Sequence, residues 1–123
     1  MTLKNNLYYI QNQDNINSTF TIELNPDCFI YKAHFPELPI TPGVCIIQVA
    51  KELFSELCGA TLDLESVSNA KFLAVINPEV TSKLTYSFNK VTDSEDSSQY
   101  KVSVVVADEK TTYTKLSLCF RKQ

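Results

Sequence analysis

His34 is the only histidine in the 123-residue chain. It heads the stretch His34-Phe35-Pro36-Glu37-Leu38-Pro39-Ile40-Thr41-Pro42-Gly43-Val44, which holds three of the five prolines and one of the two glycines. Histidine is the side chain whose ordinary pKa lies nearest physiological pH, so it can both take and return a proton. Proline fixes φ and removes a backbone donor, so three of them make a stiff, extended lead-in. An imidazole at its start would be held in one place. The chemistry this predicts is proton transfer, aimed at the start of the long apolar run that begins at Val44.

The elements that must position these groups follow from patterning. Thr41 suits a helix cap, Pro42 the first helical position and Gly59 a left-handed end. Between them, Val44, Cys45, Ile46, Ile47, Val49, Ala50, Leu53, Phe54, Leu57 and Cys58 are apolar. In the first two turns they surround almost the whole helix, which predicts burial inside the protein. The polar residues Gln48, Lys51, Glu52, Ser55 and Glu56 collect on one side.

The rest of the chain reads as strands. Phe20 to Leu24, Ser66 to Ile76 (with Ala70, Phe72 and Ala74 as apolar alternants), Leu84 to Phe88, Tyr100 to Val106 and Thr112 to Phe120 have period-two patterning. A further strand is expected around Leu7-Tyr8-Tyr9-Ile10. Thr92 to Ser98 reads as an acidic loop, and Ala107 to Lys110 as a turn. One apolar helix with several antiparallel strands is an α+β pattern. A long sheet curling around the helix would cover it, and the edges of such a sheet are often paired in a dimer.

Composition narrows the function classes. Residues 1–123 are expected to form a single domain with a hydrophobic core of ordinary composition, 44% hydrophobic and 20% charged. A formal net charge of −3, with no basic run, argues against nucleic-acid binding. No stretch approaches the roughly 18 apolar residues that span a bilayer, so no membrane partner is expected. Without a signal-peptide layout at the N-terminus, a cytoplasmic location with reduced thiols is the expectation. Cys28, Cys45, Cys58 and Cys119 form no C-x-x-C pair, and with one histidine they give no zinc set, so they read as structural filler and no metal is expected.

The stretch His34-Phe35-Pro36, Pro39 and Pro42-Gly43-Val44, entering an apolar helix, resembles the 3-hydroxyacyl-[acyl-carrier-protein] dehydratases of fatty-acid synthesis, members of the hotdog fold. Ser68-Asn69-Ala70-Lys71-Phe72 and Val75-Ile76-Asn77-Pro78 look like the strand that follows the helix in that family and borders its acyl tunnel. With strand order, the resemblance covers roughly residues 20 to 121. It implies a long antiparallel sheet wrapped around one central buried helix. It also implies a dimer or higher homo-oligomer (with a heteromer as the alternative), and a substrate carried as a thioester of acyl carrier protein or CoA. No cofactor is implied beyond the phosphopantetheine arm of that carrier.

The reaction implied is loss of water from a 3-hydroxyacyl thioester, which needs a base at C2, an acid for the departing oxygen at C3, and donors for the thioester oxygen. His34 matches the catalytic histidine of the family. The N–H groups of Gly43 and Val44 match the oxyanion donors at a helix N-terminus, and a glycine would let the thioester approach without a Cβ in the way. Phe35 and Phe72 are candidates for substrate contact or core. Lys71, Arg121 and Lys122 are candidates for docking an acidic carrier.

The sequence departs from the family at one position. Fourteen residues after the histidine, where the family has an acid acting from the neighbouring subunit, this chain has Gln48. A glutamine amide can hydrogen-bond a hydroxyl but cannot deliver a proton at neutral pH. The usual order, acid first and glutamine four residues later, is reversed as Gln48 then Glu52. Two readings follow: Glu52 is the acid moved by one turn, or His34 makes both proton transfers while Gln48 orients the hydroxyl. A hotdog thioesterase and a non-catalytic acyl-binding subunit are the rival functions.

Overall fold

The computed structural model describes residues 2–34 and 37–123; of His34 it describes the backbone. Its elements in chain order are β1 (Tyr8–Asp14), β2 (Thr19–Leu24), α1 (Phe29–His34), α2 (Gly43–Cys58), β3 (Leu62–Phe72), β4 (Lys83–Asp93), β5 (Gln99–Ala107) and β6 (Thr112–Lys122). The six strands form one antiparallel sheet in the order β1-β2-β4-β5-β6-β3. α2 packs against its inner face, the hotdog arrangement that the resemblance implies.

Period-two patterning builds the inner face. Phe20, Ile22 and Leu24 on β2, Leu84, Tyr86 and Phe88 on β4, Val102, Val104 and Val106 on β5, and Leu116, Leu118 and Phe120 on β6 are all buried. α2 answers with one stripe, Cys45, Ile46, Val49, Ala50, Leu53 and Phe54. Phe54 locks helix to sheet, its ring 5.3 Å from Phe120 and 5.4 Å from Phe88. Offset aromatic pairs at such spacing add to the area they bury. Tyr86 also donates its hydroxyl to the Ile46 carbonyl at 3.1 Å, fixing the first half of α2 along its axis.

Several details differ from the sequence expectation. α2 is buried on that one stripe rather than all round, because a single sheet covers one side; Val44 is 75% exposed and Ile47 half-buried. The N-cap is Pro42, at φ −61° and ψ 145°, and not Thr41. Thr41 is buried instead, its hydroxyl 2.9 Å from that of Tyr31 and its N–H donating to the Ile76 carbonyl. Gly59 ends the helix as expected, at φ 65°. β3 starts at Leu62 and stops at Phe72, so Ala74 and Ile76 fall outside it, and Ala70 and Phe72 are exposed rather than core-facing. β4 runs on to Asp93, so the loop before β5 is shorter than Thr92 to Ser98. The α1 helix has no counterpart in the expected elements.

All four cysteines are free; Cys28 and Cys45 are buried, Cys58 and Cys119 half-buried. Among the described residues no helix is long and apolar enough to cross a membrane.

The core also holds tyrosines that resist ionisation. Burial pushes Tyr31 up to about 12 and Tyr86 well above the ordinary value; Tyr8 is raised by burial first and by the Glu52 carboxylate second. A raised folded-state pKa gives stability that is intact below the unfolded value, about 10 for tyrosine, and lost as pH rises through the folded values. The protein should therefore hold its sheet up to about pH 10 and lose it above, with tyrosinate absorbance and the loss of far-ultraviolet circular dichroism coinciding. Full tyrosinate absorbance with the sheet signal intact would contradict this packing.

Candidate active site

The proline-rich stretch connects the end of α1 to the start of α2, and its two ends are tied together. In α1, Ile30 and Tyr31 are buried against the core. The Tyr31–Thr41 hydroxyl bond then joins α1 to the residue before the N-cap, across the segment that begins at His34. A buried, paired hydroxyl is costly to leave unpartnered, so the tie is a fixed one. His34 thus has its backbone at the last residue of α1, three positions beyond Tyr31. The His34 side chain and Phe35 lie outside the described residues.

At the other end, the Pro42 carbonyl accepts the N–H groups of Cys45, at 2.9 Å, and Ile46, at 3.1 Å. Among the described residues no side chain caps the helix, and the Gly43 and Val44 N–H groups have no acceptor. These are the donors that every helix start leaves over, at the positive end of its dipole. The space above Gly43 is not empty. The Phe72 ring lies there, so close that a Cβ built on Gly43 would be 2.8 Å from Cζ. Phe72 is 51% exposed, and its cross-strand neighbour on β6 is Thr114. The Thr114 hydroxyl is buried, with no hydrogen-bond partner among the described residues. The structure therefore brings Phe72 to the first residue of α2, with the aromatic ring against the face of Gly43 that a side chain would occupy.

Gln48 sits one turn further along α2, half-buried, and donates from Nε2 to Glu52 Oε2 at 2.9 Å. Glu52 is occupied on every side. Its Oε2 also accepts the Leu3 N–H at 2.8 Å, and its Oε1 accepts the Lys4 N–H at 2.8 Å and the Tyr8 hydroxyl at 3.0 Å. Each oxygen thus accepts two hydrogen bonds. The geometry favours Glu52 as an acceptor that anchors the N-terminal segment over Glu52 as an acid moved by one turn. Lys4 and Glu56 add an ion pair beside it. An open cleft of about 630 Å³, lined by Gln48, Lys51, Glu52 and Ser55 among others, runs along this side of α2.

The three basic residues considered for carrier docking do not form one patch. Arg121 pairs with Glu65; Lys122 pairs with Asp93 and lies 4.0 Å above the Tyr100 ring. Lys71 is opposite Lys115, beside Phe72. Arg121 is opposite Asp63, eight residues back along β3, about 26 Å at the usual rise.

Sequence reasoning missed Tyr31 and Tyr8, the two tyrosines that fix the site from outside it. Neither carries a local signal, because their partners, Thr41 and Glu52, are distant in sequence.

Comparison with known proteins adds to this geometry. A family model for ApeI-like proteins, described as ApeI dehydratase, matches residues 10–115. No curated protein sequence matches the chain. Among solved structures, the dehydratase heterocomplex ApeI:P from Xenorhabdus doucetiae is similar, with a TM-score of 0.68 and 16% identity, over 94% of this chain and 98% of that one. The virulence protein Cj0977 of Campylobacter jejuni gives 0.66 at 11% identity, over 100% and 88% of the two chains. A provisionally assigned thioesterase of Lactococcus lactis, yhdA, gives 0.65 at 10%, over 99% and 98%. At these identities the structural likeness establishes the hotdog fold.

Proposed function

The chain belongs to the ApeI-like dehydratase family, and from that premise we propose that it removes water from 3-hydroxyacyl thioesters carried by acyl carrier protein or CoA. The observation that carries this reading is the uncapped start of α2, joined by a tied proline-rich stretch to the chain's only histidine. His34 takes the proton from C2 while charge gathers on the thioester oxygen, which accepts from the Gly43 and Val44 N–H groups. The C2–C3 double bond forms as the C3–O bond breaks. The proton returns from the imidazolium to the departing hydroxyl, leaving a trans-2-enoyl thioester and water. Gln48 orients that hydroxyl, because a glutamine cannot itself supply the proton. The thioester approaches the face of Gly43 against which the Phe72 ring lies, and the half-exposed ring has room to move outward as it does so.

The test is turnover of a 3-hydroxybutyryl thioester and hydration of the crotonyl thioester, followed by enoyl absorbance, with free thiol measured in parallel. Reversible enoyl formation without thiol release supports the reading. Thiol release without enoyl signal would make the protein a thioesterase, and no turnover of either kind would make it a binding subunit.

The assembly we propose is a dimer through β3. That strand is an edge of the sheet, and from Glu65 to Phe72 it is exposed on both faces apart from its pairing with β6. Val67, Phe72, Leu73 and Val75, with Val44 of α2, put large apolar side chains in solvent around it. Open edges and contiguous apolar surface mark association surfaces. The described relative ApeI:P is itself a heterocomplex, so a related chain is the competing partner. Sedimentation velocity should find a dimer of the wild type and a monomer of Val67→Lys, which places a charge on the exposed strand without touching the core. A wild type that is monomeric alone, at micromolar concentration, would exclude self-pairing and direct the search to a second chain.

A further inference from the structure

Gln48 is useful only if the correct end of its amide faces the substrate. A carboxylate accepts and does not donate, so the 2.9 Å contact with Glu52 Oε2 has to come from Nε2. With the amide reversed, two oxygens would meet at that distance. The carbonyl oxygen Oε1 is therefore the end directed away from Glu52. Glu52 is in turn held by three donors that lie outside α2: the Leu3 and Lys4 N–H groups and the Tyr8 hydroxyl. Leu3, Leu7 and Tyr8 are buried, so the N-terminal segment that supplies these donors is packed into the core.

We propose that Glu52 is a positioning residue, which, locked by the segment Leu3 to Tyr8, turns Gln48 so that its carbonyl oxygen accepts the C3 hydroxyl of the substrate. The inference rests on the dehydratase reading above. It gives the reversed order of Gln48 and Glu52 a chemical meaning. An acceptor at position 48 takes the hydroxyl's own hydrogen and leaves the lone pairs of the departing oxygen for the proton carried by His34. The acid that the family places at this position would give a proton; the amide here aims the group that receives one. The C2 proton taken by His34 then becomes the proton of the released water, and no further donor is needed.

The experiment combines kinetics with the side-chain amide NMR signals of Gln48, assigned by their loss in Gln48→Leu. In the wild type, one amide proton bound to a carboxylate should lie well downfield of the other. Glu52→Gln keeps the shape but adds a donor, so either orientation of Gln48 becomes available. The separation should then collapse, and kcat should fall by about 10- to 100-fold with KM within about threefold, as expected for a misaimed reacting group. Tyr8→Phe removes one donor from Glu52 without changing α2. It should lower kcat by about 2- to 10-fold, the worth of one hydrogen bond, and move the same amide signals. If Glu52→Gln does not fold, this variant decides. Gln48 signals and kcat that stay at wild-type values in a folded variant would overturn the positioning role. An inactive wild type would overturn the dehydratase reading, while the amide signals would still decide whether Glu52 orients Gln48.

Discussion

Replacing His34 with alanine should lower kcat/KM for the dehydration by about 10²–10⁴-fold, the usual worth of a positioned acid–base group. The loss should sit at the large end, because one imidazole is asked to make both proton transfers. The chain has no second histidine, and Glu52, the carboxylate closest in sequence to Gln48, has all its lone-pair directions toward the active-site helix and N-terminal segment in use. The comparison that gives the number its meaning is Tyr31→Phe. That variant keeps the imidazole but cuts the Tyr31–Thr41 tie across the proline-rich stretch. It should cost far less, because only the alignment of His34 with the α2 donors is loosened. Full turnover by His34→Ala, with circular dichroism unchanged, would remove the mechanism as a whole.

The proportions of the fold were legible because they are set by period. Strands β2, β4, β5 and β6 each carry an unbroken inward row, such as Leu116, Leu118 and Phe120, and a period of two admits one assignment. α2 was legible from Pro42, Gly59 and the apolar run between them. What failed did so for physical reasons. α1 has six residues, too few for a helical period to show, and it holds its place through Ile30 and Tyr31 packing rather than propensity. β3 misled because two of the alternants read in it, Ala70 and Phe72, are exposed in the single chain and the third, Ala74, lies beyond its end, so their spacing does not report a core. The Thr41 cap was displaced by a better use of a buried hydroxyl. At the site, residue types were readable but connections were not. Glu52 looked like an acid one turn away, and its partners, two backbone N–H groups and a phenol more than forty positions earlier, leave no mark in local sequence.

Gly43→Ala should lower kcat by about 10²-fold while changing stability by no more than about 1 kcal/mol. The two effects separate because they act through different atoms. Gly43 is not in the left-handed region, where among the glycines only Gly59 sits, so alanine meets no backbone strain. At the first position of a helix it should gain about 0.4–1 kcal/mol by restricting the unfolded chain. Against this stands the Phe72 ring, whose Cζ would be 2.8 Å and Cε1 3.2 Å from the new methyl. The ring is half-exposed and can move outward, so the clash offsets the gain rather than overwhelming it. The methyl itself remains in the space the thioester carbonyl needs. Gly43→Ala with Phe72→Ala then isolates the cause. With the ring removed, the double variant loses the clash, yet its turnover should stay low, because the obstacle is the methyl above the N–H groups and not the displaced ring. Turnover restored in the double variant would assign the loss to Phe72. Turnover unaffected in the single variant would show that the thioester oxygen does not approach over Gly43, and the start of α2 would lose its role as the oxyanion site.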